Sequence, residues 1–221
     1  MYRPPDEDSA AGLDLSIRLC ESEVKCSIPS FAKSCNFPGE TATLRSQKHA
    51  MLLQIHTFPD PILKQVAQSI EVFDDALRKT ADDMLETMYA SNGIGLAAIQ
   101  VAILKQLVVV DLLSGSEDES ERDPHIFVNP NITEQSGETI SEEGCLSVEE
   151  FRAEVKRAER ITLEYQDVEG QPHTLVAEDL MAICIQHELD HLRGVLFIDH
   201  LPSLKQKMVK RRLAKQVRLS A

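Results

Sequence analysis

A run of apolar residues from Leu180 to Ile185 leads directly into Gln186-His187-Glu188-Leu189-Asp190-His191, and no other stretch restricts the fold so tightly. On an α-helix, histidines four residues apart differ by about 40° of rotation and about 6 Å of rise, so both imidazoles reach one point in space. The glutamate between them sits where it can touch a water held by an ion at that point. Because Leu180 to Ile185 is apolar all round, the helix is expected to lie inside the protein. Two His and a Glu buried there need partners, since unpaired polar groups are expensive to bury. The pattern predicts a metal site on a buried helix.

The third ligand decides the class. One peptidase pattern takes a Glu from a following helix, but no Glu occurs between His191 and Ala221. Another continues as HExxHxxGxxH; this chain matches it to Gly194 and then places Phe197 at the third histidine. Asp199 and His200 remain as weak candidates, and a zinc endopeptidase built on either is the alternative reading. Upstream, Glu142-Glu143-Gly144-Cys145-Leu146-Ser147 offers a better ligand. A thiolate binds borderline and soft divalent metals strongly, and Gly144 lets the backbone approach closely. Packing explains a cysteine such as Cys184 on the apolar helix, but not Cys145 in a polar, acidic turn. Cys145, His187 and His191 together make a three-ligand site with a fourth position open, the arrangement of catalytic metals.

A third segment, Gly93-Ile94-Gly95-Leu96-Ala97-Ala98-Ile99-Gln100, follows a helix expected to end near Asn92. Its glycines suit backbone that lies against a peptide, and Gln100 offers a neutral amide donor. It is a poor phosphate loop, because it follows a helix and carries no Lys-Ser/Thr pair.

Taken in order, GIGLAAIQ, EGCLS and QHELDH resemble the three signature motifs of the peptide deformylases, and the resemblance runs from about Met51 to about Leu201. It implies a metallohydrolase that removes the N-formyl group from the starting methionine of nascent polypeptides and releases formate. The implied cofactor is one ferrous ion per chain, which zinc, nickel or cobalt can replace. Carried onto this sequence, Cys145, His187 and His191 match the metal ligands and Glu188 the general acid/base. Gln100 and the backbone N–H of Leu146 match the oxyanion stabilisers. Backbone at Ile94, Gly95 and Gly144 is expected to bind the peptide. Leu180, Ile183 and Cys184 are expected to line an apolar methionine pocket, and Glu143 to pair with Arg152 and brace the Cys145 turn.

Composition fits this reading. With 221 residues and 43% hydrophobic content the chain can bury one substantial core. Five cysteines without paired spacing argue against a disulfide framework and for a cytoplasmic enzyme. A net charge of -13 argues against general or sequence-specific nucleic-acid binding, and no stretch is long enough to span a membrane. A monomer is expected.

Three segments follow. Residues 1–50 lack periodicity and are expected to form a disordered extension; Asp6-Glu7-Asp8 does not suit an organellar transit peptide, and Cys20, Cys26 and Cys35 lack metal-knuckle spacing. Residues 51–201 form the catalytic domain. Expected strands are Leu52–Ile55, Gln106–Leu112, Ile126–Asn129, Ile161–Gln166 and His173–Val176, with Glu169-Gly170 turning the last pair. A short helix opens at Asp60-Pro61, a longer one spans Asp74–Ser91 with Leu77, Ala81, Met84, Leu85 and Met88 inward, and the histidine helix stops at Gly194. The class is α+β, with antiparallel and mixed sheets wrapped around the central metal-bearing helix. Residues 202–221 form a basic amphipathic helix, with Leu204, Met208, Leu213 and Val217 at roughly helical spacing. Segregated basic charge in an acidic protein points to a polyanion, and some members of the resembled family dock such a helix on the ribosome.

Overall fold

A computed structural model describes residues 51–116 and 118–220; the expectation of disorder for 1–50, and the reading of Cys20, Cys26 and Cys35, fall outside them. The α-helices among the described residues are α1 (Asp75–Ala90), α2 (Asp179–Leu192) and α3 (Ser203–Ser220). The strands are β1 (Gly95–Ala97), β2 (Leu107–Val110), β3 (His125–Ser136), β4 (Thr139–Cys145), β5 (Val148–Arg157), β6 (Arg160–Gln166) and β7 (Pro172–Glu178).

Five strands form one sheet in the order β1-β2-β3-β6-β7, and β4 pairs with β5 in a separate two-stranded sheet. Every pairing in both sheets is antiparallel, so the expectation of mixed sheets is corrected. Parallel pairing among the described residues is confined to an isolated bridge between Gln68 and Lys105. The physical reason is the connections: β4 to β7 follow one another through short turns, whereas parallel neighbours need a long crossover.

The sheet is buried on both sides where β1, β2 and β3 meet. Leu107-Val108-Val109-Val110 is wholly buried, and its β-branched residues suit a strand covered on both faces. Alternate side chains enter different cores. Leu96, Leu107, Val109 and Val128 pack with Leu77, Ala81, Met84 and Met88 of α1. Ala97, Val108, Val110 and Phe127 pack with Ala182, Ile185, Leu189 and Leu192 of α2, in a cluster that also takes Val148, Ala153 and Val155 from β5. Helix α2 therefore shares one core with the large sheet and with the hairpin.

Local chemistry sets the boundaries. Asp74 caps α1 by accepting from the Leu77 N–H at 3.0 Å. Asp60 caps a 3-10 turn at Pro61–Lys64 in the same way, accepting from Ile62 N–H. Gly194, at φ +72°, ends the chain's turn out of α2, and an added Cβ there would lie 2.6 Å from the Lys64 carbonyl oxygen.

Three further expectations are corrected. Leu52–Ile55 is not a strand: the Met51 and Leu53 N–H groups donate at 2.9 Å to the Asp83 and Thr87 side chains of α1, and a helix side offers no ladder to pair with. The β4–β5 hairpin stands where only a turn around Cys145 was expected. On α3, Leu204 and Met208 are 72% and 66% exposed, while Val209 and Leu213, at 6% and 7%, pack into the α2 core. Val217 lies among residues whose side chains are not described.

Candidate metal centre

Cys145 ends β4, at a bulge where the register shifts between Glu143 and Cys145, and a Leu146-Ser147 turn leads into β5. Its Sγ lies 3.2 Å from His191 Nε2, and the Ser147 N–H donates to it at 3.4 Å. The donor atoms of Cys145, His187 and His191 all lie within 4.8 Å of one another. The two imidazole centroids are 5.0 Å apart on α2, as the four-residue spacing requires.

The two imidazoles sit in different surroundings. His187 Nδ1 lies 2.8 Å from Glu143 Oε2, which assigns the proton to Nδ1 and leaves Nε2 free to coordinate. Burial, and then the neighbouring His187, hold His191 well below the ordinary histidine pKa, in the neutral form a ligand needs. Burial raises the Glu143 carboxyl, but Arg157 and His187 outweigh it and hold it at about 2.

Glu188 is the anomaly. It is buried, its Oε2 has no hydrogen-bond partner among the described residues, and burial pushes its carboxyl up to about 7. The carboxyl fits only because residue 95 is glycine: an added Cβ would lie 2.5 Å from Glu188 Oε1 and 2.8 Å from Cys184 Sγ. Gln100, on the 3-10 turn after β1, accepts the Ala97 N–H on Oε1 at 2.8 Å. That bond aims Nε2 at Ser147 Oγ, 3.1 Å away, and at Cys145 Sγ, 3.7 Å away.

A cleft of about 860 Å³ opens over these groups. Ile94, Gly95, Gln100, Gly144, Cys145, Leu146, Leu180, Ile183, Cys184, His187 and Glu188 all line it, and of the residues matched to the deformylase motifs His191 sits behind the wall. A thiol, an imidazole and a raised carboxyl facing the cleft, with a second imidazole buried just behind them, fit a borderline divalent ion with an open coordination position.

The polypeptide deformylase family model matches residues 52–207. The chain is 49% identical over 170 residues to a peptide deformylase of Nitrosococcus oceani, covering 77% of this chain and 99% of that one. It is 51% identical over 165 residues to that of Chromobacterium violaceum, covering 75% and 96%. The crystal structure of a peptide deformylase from Legionella pneumophila superposes with a TM-score of 0.69 at 39% identity, covering 76% of this chain and 97% of that chain.

The chain belongs to the peptide deformylase family.

As a deformylase it is a metal-dependent hydrolase that removes the formyl group from the N-terminal methionine of nascent polypeptides. The endopeptidase alternative is not favoured. The Asp199 carboxylate is taken up by Lys64 and Lys210, each at 2.5 Å, and by the Leu196 N–H at 2.9 Å, while His200 Nε2 lies on Asp190 at 2.6 Å. Neither belongs to the three-donor cluster.

The expected Glu143–Arg152 pair is replaced by Glu143–Arg157, with Nε to Oε1 at 2.7 Å and Nη2 to Oε2 at 3.0 Å. The hairpin register pairs Glu143 with Ala153, so positions 143, 153, 155 and 157 share the inner face while Arg152 lies on the other. Sequence reading also missed Phe151 and Val148 in the cleft wall. The alternation Phe151, Ala153, Val155 was the signal that could have found them.

Proposed function

We propose that Cys145, His187 and His191 hold one divalent ion, ferrous iron in the native enzyme, and that Glu188 is the proton carrier of the deformylase reaction. The observation that carries this reading is the convergence of three metal-type donors within 4.8 Å beside a buried carboxyl whose Oε2 lacks a partner. Zinc, nickel and cobalt suit the same donor set, so the ligands alone do not choose the metal. In the fold, this makes α2 the metal-bearing helix enclosed by the large sheet and the hairpin.

When bound, such an ion supplies Lewis acidity and a nucleophile acidified from water. Glu188 would accept the proton of the attacking water and deliver it to the departing amine nitrogen. A pKa near neutrality suits both halves of the task. Negative charge develops on the former carbonyl oxygen, and Gln100 Nε2 and the Leu146 N–H donate to it, each worth about 3 kcal/mol of barrier. Gln100 serves better than a cation, because its amide does not repel the ion. Backbone at Ile94, Gly95 and Gly144 holds the peptide extended, and Leu180, Ile183 and Cys184 receive the methionine side chain.

Residues 51–201 form the catalytic unit in this reading, with residues 1–50 an extension it does not need. The described residues contain no helix long and apolar enough to cross a membrane. Exposed Lys205, Lys207, Arg211 and Arg212 on α3 support docking of a cytoplasmic, monomeric enzyme on ribosomal RNA phosphates. The test of the catalytic reading is primary-amine release from formyl-Met-Ala-Ser by protein loaded anaerobically with ferrous iron, with internal cleavage scored alongside. Amine release dependent on the ion supports it; release unaffected by removing the ion overturns it.

A further inference from the structure

The three metal-type donors come from two separate pieces of structure. Cys145 belongs to the two-stranded sheet, whereas His187 and His191 belong to α2. Apolar contact holds these pieces together but is non-directional, and does not by itself set their separation.

Directional bonds do cross the gap, and they centre on one side chain. Arg157, the last residue of β5, is 6% exposed. Its Nε and Nη2 grip the Glu143 carboxylate of β4, and its Nη1 donates to Asp190 Oδ2 of α2 at 2.5 Å. One position further, Gln186 of α2 accepts the Ala158 N–H at 3.0 Å and donates to the Ala158 carbonyl at 2.9 Å. The same Gln186 amide also bonds the Ala182 carbonyl at 2.9 Å, which ties it back into its own helix. Glu143 passes the connection on to His187 Nδ1. His200, at the outer end, closes on Asp190.

We propose that Arg157, supported by Gln186, is a positioning clasp that fixes Cys145 relative to His187 and His191, and thereby sets how tightly and in what geometry the ion is held. A planar guanidinium can bind one carboxylate through two bonds while a third N–H reaches another; a lysine ammonium is a point charge without that fork. Arg157 does not line the cleft, so its influence runs through Glu143 and Asp190. The clasp rests on the metal assignment above, which stoichiometric binding by the unaltered protein tests separately.

The experiment measures cobalt(II) affinity by chelator competition, and the cobalt d–d absorption, in wild type, Arg157→Lys, Asp190→Asn and the double variant. Both single variants are expected to bind cobalt about 10- to 100-fold more weakly, with a shifted d–d band. The double variant is expected to fall short of the product of the two losses, because both break one connection. At saturating metal, kcat on formyl-Met-Ala-Ser should drop while KM stays unchanged. Asp190→Asn keeps the Arg157–Glu143 pair and so decides the matter alone if Arg157→Lys does not fold. Cobalt affinity within about threefold of wild type and an unshifted band in folded Asp190→Asn, even with a lowered melting temperature, would show a merely structural bond and overturn the clasp. Failure of the wild type to bind one cobalt per chain overturns the metal assignment itself, and the clasp with it.

Discussion

Gly95 and Glu188 compete for one volume: a Cβ on residue 95 would lie 2.5 Å from the Glu188 carboxylate oxygen. Gly95 is not in a left-handed conformation, so the glycine is there for space alone. Gly95→Ala should retain the ion and lose about 10²-fold in kcat, since a displacement near 1 Å is enough for such a loss. Gly93→Ala is the control. Its added Cβ meets Leu146 Cδ1 at 2.8 Å, the end of a flexible side chain that can swing aside, so its loss should be much smaller. Equal kcat for Gly95→Ala and wild type at equal metal content would rule out the steric argument.

Glu188→Gln keeps the size of the side chain but cannot carry a proton. It should hold metal as wild type does and lose about 10²- to 10⁴-fold in turnover. In the wild type, Glu188 acts as base only when ionised, and burial raises its pKa to about 7, so activity should fall as pH drops through that region. A bound cation favours the ionised form, which places the acid limb of kcat/KM at or below pH 7. Turnover of Glu188→Gln within about threefold of wild type would remove the residue from the mechanism.

Cys145→Ala removes the one thiol donor of the cluster. Protein purified anaerobically should carry one ion per chain as wild type and far less as Cys145→Ala, by metal analysis after gel filtration. Full occupancy in the variant would show that the thiol is not a ligand. Chelation of the wild type should abolish amine release, and ferrous iron should restore it.

Asp199 sits between Lys64 and Lys210 and ties the segment after α2 to α3. Burial raises its carboxyl, but Lys210, Lys64 and the Leu196 N–H outweigh burial and hold it at about 2, below the ordinary 3.8. A depressed pKa means stability that is fully present above about pH 4 and is lost as pH falls towards 2. Lys64 is 44% exposed, so the contribution is discounted to about 1–2 kcal/mol. Urea midpoints of wild type and Asp199→Asn should differ at pH 7 and converge near pH 2. A gap independent of pH would show that the carboxylate charge is not the source.

Truncation after His200 removes Val209 and Leu213 from the α2 core, at about 1.5–3 kcal/mol for each side chain. The shortened protein should melt earlier yet turn over formyl-Met-Ala-Ser with nearly wild-type kcat per folded molecule. It should also sediment less with ribosomes at low salt. A protein of residues 51–221 should fold and match wild-type kcat; failure to fold would place residues 1–50 within the core.

What the sequence determined by itself were the features carried by local periodicity. Four-residue spacing put His187 and His191 on one helix face whatever surrounds them. The caps at Asp60 and Asp74, the stop at Gly194 and the turn at Gly170 also depend only on near neighbours in the chain. The tertiary structure decided what depends on distant pairing. Whether Glu143 meets Arg152 or Arg157 is a question of hairpin register, and one residue of slip exchanges the two faces. Whether Leu204 or Val209 of α3 is buried depends on where Asp199 and the α2 core stand, because a helix with apolar residues on more than one side has no preferred face of its own. The Glu188 pKa is likewise unreadable from its neighbours in sequence. It arises from the burial that β1, the Cys145 turn and α2 create only when they come together, because a carboxylate loses its water only when all sides close.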